Sequence, residues 1–191
     1  MDTPKKKIFL IRHGETAWTI SGQHTGSTDI PLTQKGIEDT KKLGTFLQAQ
    51  NFAAVFVSPL GRSIETCQHV GLMKKAQVDE DLKEWNYGKY EGLTSKEITE
   101  TNPTWTIFTE GAPEGESLLD IKTRADRFLK KIEKIEGDIA VFSHGHFSRA
   151  LGVSWLGLPL SDGRLFALFP ASISILGYEK DTKALLLWNQ T

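Results

Sequence analysis

Short apolar runs alternate along the chain with stretches in which apolar residues recur every three or four positions. Lys7–Ile11 is the first run and suits a buried strand. Thr33 can cap a helix that runs to about Ala49, with Ile37, Leu43, Phe46 and Leu47 facing inward. Ala53–Val57 is a second buried strand. Ser58-Pro59 follows it as cap and first helical position of a helix running to about Val70. A short strand is expected near Val78. Over Glu116–Glu136 the residues Leu118, Ile121, Ala125, Phe128, Leu129 and Ile132 share one face of a long helix. Ile139–Phe142 is a third buried strand, and a helix over Gly145–Leu156 follows it directly. Leu165–Phe169, Ser172–Glu179 and Ala184–Trp188 read as strands and a hairpin, with Asp181-Thr182 near its turn.

This alternation predicts an α/β sandwich with a mostly parallel sheet. Glu84–Pro113 breaks the pattern. It is rich in glycine, proline and aromatic residues, and reads as an excursion over the sheet edge with one short helix from Thr94 to Thr101. No repeat, low-complexity tract or linker divides the chain, so residues 1–191 are expected to form one domain, long enough to bury a sizeable core.

Composition changes this picture little. A net charge of −1 gives no general attraction to nucleic acid or an anionic membrane, so an anionic small molecule would need a local positive cluster. Lys5-Lys6-Lys7 reads as a solvated start. The apolar run behind it is too short for a secretory signal, and Ala150–Pro170 is broken by Pro159, Asp162 and Arg164, which argues against a membrane span. The single cysteine, Cys67, excludes an internal disulfide and fits a reducing compartment. A cytoplasmic location is expected.

Chemistry enters at three strand ends. Arg12-His13 follows the first strand, Ser58-Pro59-Leu60-Gly61-Arg62 the second, and Ser143-His144-Gly145-His146 the third. Open α/β sheets bind ligands at the carboxyl ends of their strands. If these strands are parallel neighbours, Arg12, His13, Arg62 and His144 converge, together with two helix N-termini, into an anion site suited to phosphate. Neutral imidazole is a good nucleophile toward phosphorus. His13 is the better candidate because Arg12 adjoins it and Gly14 permits a tight turn behind it. A leaving group needs a proton, and Glu84 and Glu91, set among Trp85, Tyr87 and Tyr90, are equal candidates for the acid.

Together Leu10–Thr16, Ser58–Arg62, Glu84–Gly92 and Ser143–His146 resemble, in order and across nearly the whole chain, the histidine phosphatase superfamily, also called phosphoglycerate mutase-like. The runs Trp85–Gly92 and Ser143–Arg149 are most similar to small acid phosphatases and sugar-bisphosphate phosphatases. The resemblance implies a three-layer α/β/α sandwich with a mixed sheet and no metal or other cofactor. It implies His13 as the phosphorylated nucleophile, Arg12, Arg62 and His144 as holders of the phosphoryl oxygens, and Glu84 as the proton donor. It also implies contacts to the phosphate or its ester from Thr25 and Gly26 and from the amide of Gly145. Many members carry Asn where this chain has Thr19, so the resemblance implies a phosphate contact from the Thr19 hydroxyl, which can donate one hydrogen bond with less reach. A small phosphate ester is the expected partner, and the resemblance allows a homodimer.

The reading that follows is a metal-independent phosphomonoesterase acting on small phosphorylated metabolites. A cofactor-dependent phosphoglycerate mutase is the first rival. Such enzymes carry a longer basic insertion after the Glu84 block, whereas Leu93–Ala112 is short and holds a single lysine, Lys96. A non-catalytic phospho-ligand module is a second rival, although every expected catalytic position is filled. A metallohydrolase built on His144 and His146 lacks carboxylates at matching spacing. His24, His69 and His146 are expected at the pocket rim or the surface, and Trp105, Phe108 and Trp188 in packing.

Overall fold

A computed structural model describes residues 5–191. Its six strands are β1 (Ile8–Arg12), β2 (Phe52–Val57), β3 (Ala76–Val78), β4 (Asp138–Ser143), β5 (Ile173–Glu179) and β6 (Thr182–Gln190). They form one sheet in the order β3-β2-β4-β1-β5-β6. The pairs β3-β2, β2-β4 and β4-β1 are parallel, and β5 runs antiparallel to both its neighbours. The helices are α1 (Ala17–Ser21), α2 (Gln34–Gln48), α3 (Gly61–Val70), α4 (Ser95–Thr101), α5 (Ile107–Glu110), α6 (Leu118–Ile132) and α7 (Gly145–Leu156).

The central strands β1 and β4 have no polar face, because both sides of the sheet are covered there, whereas the edge strands β3 and β6 are partly exposed. Along β1, Ile8 and Leu10 point into one core with α5, α6 and α7, while Phe9 and Ile11 point into a second with α2 and α3. Ile139 and Val141 of β4 likewise join the first core, and Ala140 and Phe142 the second. The result is the expected three-layer α/β/α sandwich around a mixed sheet. Caps define the long helices as the sequence suggests. Thr33 accepts from the Gly36 N–H at the start of α2, and Ser117 and Asp120 form a reciprocal capping box on α6. Among the described residues, no helix is long and apolar enough to cross a membrane.

Four local expectations change. The helix after β2 begins at Gly61, not Pro59, and its cap position is Leu60. Ser58 is instead spent on the functional site. Phe46 is exposed, since α2 buries Gly36, Thr40, Leu43, Gly44 and Leu47 along a narrow stripe. Leu165–Phe169 forms no strand; a 3₁₀ turn over Leu160–Leu165 leads into irregular chain. Finally, Lys6 is not simply solvated. Its Nζ donates to the carbonyls of Ile132 and Ile135 at 2.8 and 3.0 Å, which satisfies the C-terminal end of α6. Met1–Pro4 lie outside the described residues.

The packing of α2 places the turn after β1. A Cβ on Gly36 would lie 2.3 Å from the Glu15 carbonyl oxygen, and one on Gly14 would lie 2.8 Å from the Gly36 oxygen. Two backbones touch here, so Gly14 is required for close approach rather than for a left-handed turn. Glu15 adds two ties, accepting from the Thr33 N–H at 2.9 Å and from Thr33 Oγ1 at 2.7 Å. Gly36→Ala is therefore expected to push α2 off this turn and lower stability by about 1–3 kcal/mol. An unchanged urea midpoint would contradict this packing account.

Candidate active site

The parallel neighbours β2, β4 and β1 bring the three polar strand ends together. The ladder continues past the strands, with the His13 N–H donating to Ser143 O at 3.1 Å and the Ser58 N–H to Phe142 O at 3.0 Å. A cavity of about 170 Å³ opens there, lined among others by Arg12, His13, Thr19, Thr25, Glu84 and Gly145.

His13 is 4 % exposed, and its Nδ1 lies 2.8 Å from the carbonyl oxygen of Gly14. A carbonyl only accepts, so Nδ1 carries the proton and Nε2 is the free, basic nitrogen. Burial, then the charges of Arg62 and Arg12, hold the His13 pKa well below the ordinary histidine value. The ring is thus neutral and has one defined nucleophilic atom. The Gly14 N–H donates to Thr66 Oγ1 at 3.0 Å, which pins the backbone that presents the carbonyl.

Arg62 and His144 are fully buried behind His13. The His144 ring centroid is 5.2 Å from that of His13. The Arg62 guanidinium donates to the carbonyls of Thr28, Thr25 and Gly26 at 3.1, 3.0 and 2.9 Å. Arg12 donates through Nη1 to the Leu168 carbonyl. Each still keeps an unpartnered buried Nε, and His144 keeps an unpartnered Nδ1. His144 Nε2 lies 2.7 Å from Ser58 Oγ. Buried polar groups are ordinarily hydrogen-bonded, so these three nitrogens are available to an anionic acceptor. Burial lowers the pKa of both arginines, and Arg62 lowers that of Arg12 further. Burial and the two arginines also hold the His144 pKa well below its ordinary value.

Of the two candidate carboxylates, Glu84 lines the cavity and Glu91 does not. Glu84 Oε1 accepts from the N–H groups of Trp85 and Phe147 at 2.9 and 2.8 Å, and Oε2 from that of His146 at 3.0 Å. The N-terminus of α7 therefore holds Glu84 rather than waiting open for an anion. Behind it, Arg124 binds Glu116 through two bonds of 2.9 Å and donates to the carbonyls of Asp81 and Lys83 at 2.7 Å, while Glu116 Oε2 takes the Asn86 N–H at 2.8 Å. This pair fixes the segment that carries Glu84. Glu91 binds the N–H groups of Gly26 and Thr28 and so shapes the loop that Arg62 also grips.

Two expected phosphate contacts change accordingly. Gly26 lies outside the cavity, its N–H taken by Glu91 and its carbonyl by Arg62. Thr19 lines the cavity, but its hydroxyl donates to Thr16 O at 2.8 Å and accepts the Thr16 N–H at 2.9 Å. It closes the capping box of α1, so it presents no free donor. Thr25 and Gly145 line the cavity as expected. His24 and His146 line it too, packed against Tyr87, whose hydroxyl bonds His146 Nδ1. Burial lowers the His24 pKa to about 4 and places that of His146 well below its usual value. His69, in the last turn of α3, is not part of the cavity. Among the described residues, no group of three His, Cys, Asp or Glu side chains could hold a metal ion. The sequence reading missed Ser58 as the partner of His144 and gave Arg149 no role, although Arg149 lines the cavity. Its position one helical turn after His146 was the available signal.

The chain is similar to an acid phosphatase of Mycobacterium tuberculosis, 38 % identical over all of this chain and 96 % of the relative. A sedoheptulose 1,7-bisphosphatase of Saccharomyces cerevisiae is 34 % identical over 80 % of this chain and 68 % of its own length. Relatives named as phosphoglycerate mutases are also similar. A solved structure of a Mycobacterium tuberculosis open reading frame superposes with a TM-score of 0.93 at 39 % identity, covering 97 % of this chain and 98 % of that one. The family model of the histidine phosphatase superfamily, branch 1, matches residues 8–191. With that match across the sheet and every strand end described above, the chain belongs to the histidine phosphatase superfamily and is a phosphatase-type enzyme of it.

Proposed function

We propose that this enzyme hydrolyses phosphomonoesters of small metabolites, sugar phosphates or similar, through a phosphohistidine on His13 and without a metal. The observation that carries the reading is the single free nitrogen of a neutral His13 on the cavity wall, with an unpartnered nitrogen on Arg12 of the same wall and others on the buried Arg62 and His144, which do not line the cavity.

In the first half-reaction, the Nε2 lone pair of His13 attacks phosphorus, the P–O ester bond breaks, and the leaving oxygen takes a proton from Glu84. In the second, water attacks phosphorus and gives its proton to Glu84. The P–N bond then breaks and phosphate departs. The spare Nε–H of Arg12 and of Arg62 serves the equatorial oxygens, where such transfers gain most stabilisation. Ser58 Oγ accepts the Leu60 N–H at 3.3 Å, so its own proton goes to His144 Nε2. His144 then carries its proton on Nδ1 and donates that to the phosphoryl group. Gly145 and Thr25 supply further contacts. The segment after Glu91 supports hydrolysis over mutase chemistry. Its Ile98, Trp105, Ile107 and Phe108 are buried in the core, and Lys96 is exposed, so it forms no basic cover that keeps water out.

Acid-quench-resistant trapping is the wrong tool for so labile a bond. Rapid alkaline quench and peptide mapping should instead find substoichiometric phosphate on His13 during turnover. His13→Ala should abolish both label and turnover, and ordinary activity in that variant would overturn the assignment. Glu84→Gln should slow poor leaving groups by about 10²–10⁴-fold and p-nitrophenyl phosphate far less; equal losses would contradict the acid role. Activity should survive chelator treatment. Fast isomerisation of 3-phosphoglycerate with a bisphosphoglycerate primer, with little free phosphate, would favour a mutase instead.

The buried neutral histidines also set a pH dependence of stability. The unfolded chain protonates them below about pH 6.5, the ordinary value, whereas folded His13, His24 and His144 resist protonation. Stability is therefore full above that pH and falls below it until the depressed folded values are reached, by up to about 1.4 kcal/mol per pH unit for each histidine. Urea midpoints should drop between pH 7 and 5, and His24→Gln should flatten that slope. A pH-independent midpoint would contradict the buried, neutral assignment.

A further inference from the structure

Arg12 stands on the cavity wall with no carboxylate to steady it. Among the described residues, the arginines in ion pairs are Arg124, Arg127 and Arg164. The Arg12 guanidinium lies against Gly145, where a Cβ would come within 3.2 Å of Cζ, and donates through Nη1 to the Leu168 carbonyl. A neutral carbonyl fixes the planar fork without cancelling its charge. Leu168 itself is buried, but it sits in irregular chain between exposed Leu165 and exposed Phe169. Apolar burial alone does not hold such a segment. The C-terminal strand β6 does. Trp188 Nε1 donates to the Ala167 carbonyl at 2.6 Å, and the Phe169 N–H donates to Asn189 Oδ1 at 2.7 Å. Both chain neighbours of Leu168 are thereby tied to consecutive residues of one strand, and Ser172 Oγ adds a bond to the Phe169 carbonyl at 2.6 Å.

The strand is distorted at this point. Ile175 pairs with Leu187 and Ile173 with Gln190, so Trp188 and Asn189 together oppose Ser174 alone. Such a bulge re-aims the side chains it carries. Asn189 takes a φ of +60°, a left-handed conformation that asparagine tolerates better than most residues, and its N–H donates to Ser174 Oγ at 3.0 Å. Trp188 lies over Gly152 of α7, where a Cβ would come within 3.3 Å of the indole, and meets Phe166 edge-on at 5.2 Å. We infer that Trp188 and Asn189 are positioning residues for the reaction at His13. They hold the segment 167–169 so that its Leu168 carbonyl sets the direction of the Arg12 guanidinium. This rests on the reading that Arg12 binds the transferring phosphoryl group.

Two independent variants test the relay, so the test does not hang on the folding of either one. Asn189→Gly keeps the left-handed backbone and removes the acceptor. Trp188→Phe keeps an aromatic ring over Gly152 and removes the indole N–H. Each should lower kcat/KM for p-nitrophenyl phosphate by about 10- to 100-fold, as for a binding group moved out of line. Asn189→Asp, which tolerates the same φ and restores the acceptor, should recover most of that loss. In an Arg12→Lys background both variants should cost less than about twofold, because the guanidinium they position is gone. Losses of the same size in that background, or unchanged kcat/KM in both single variants, would overturn the inference. Nitrogen-15 spectra of the arginine Nε–H groups, with Arg12 assigned from Arg12→Lys, read the side chain without turnover. The Arg12 signal should shift in both variants and return in Asn189→Asp. An unmoved Arg12 signal refutes the positioning, whereas absence of any hydrolysis by the wild type refutes the functional reading.

Discussion

The hydrogen bond between His13 Nδ1 and the Gly14 carbonyl decides which nitrogen of that imidazole is free. It depends on a backbone that cannot shift. Gly14 is pressed against Gly36 of α2, and its N–H is held by Thr66 of α3. Thr66 Oγ1 in turn donates to the Arg62 carbonyl at 2.8 Å, so the turn that presents His13 and the helix that bears Arg62 share one anchor. The two helices seat on the second core, which β1, β2 and β4 share. Position at the strand ends, packing of α2 and α3, and the tautomer of one imidazole are therefore consequences of one arrangement.

That arrangement leaves charged and ring nitrogens without partners, where the other unpartnered buried side-chain atoms among the described residues are the hydroxyls of Ser63, Ser148 and Ser154. Arg12, Arg62 and His144 each retain a buried donor without a partner, next to histidines held neutral by burial and positive charge. Local rules are broken in this way where function requires it, and the surrounding sheet and cores compensate. Glu84 illustrates the same economy of parts. It caps α7 with its carboxylate while lining the cavity, so one carboxyl both reaches the site and fixes the helix carrying His146 and Arg149.

Much of this was legible in the sequence, and the gaps have physical causes. Apolar runs buried on both faces revealed β1, β2 and β4, because a sheet covered by helices demands continuous apolar strands. Their polar ends located Arg12, His13 and His144 for the same reason. Side-chain bookkeeping was less visible. Ser58 looked like a helix cap, but α3 starts later and its hydroxyl orients His144. Thr19 and Gly26 looked like phosphate contacts, yet local partners at Thr16 and Glu91 consume their donors. Phe46 follows helical periodicity and still faces solvent, since small residues at Gly36, Thr40 and Gly44 bring α2 close to its neighbours. Such outcomes depend on which groups meet across the fold, and sequence spacing alone does not encode them.

The central claim is that His13 is a neutral imidazole with its proton on Nδ1. Nitrogen-15 NMR of histidine-labelled protein, with His13 assigned by comparison to His13→Gln, measures this directly. The spectra should show an Nδ1–H tautomer that is still neutral at the ordinary histidine pKa in the absence of substrate. An Nε2–H tautomer, or titration near the ordinary histidine value, would contradict it.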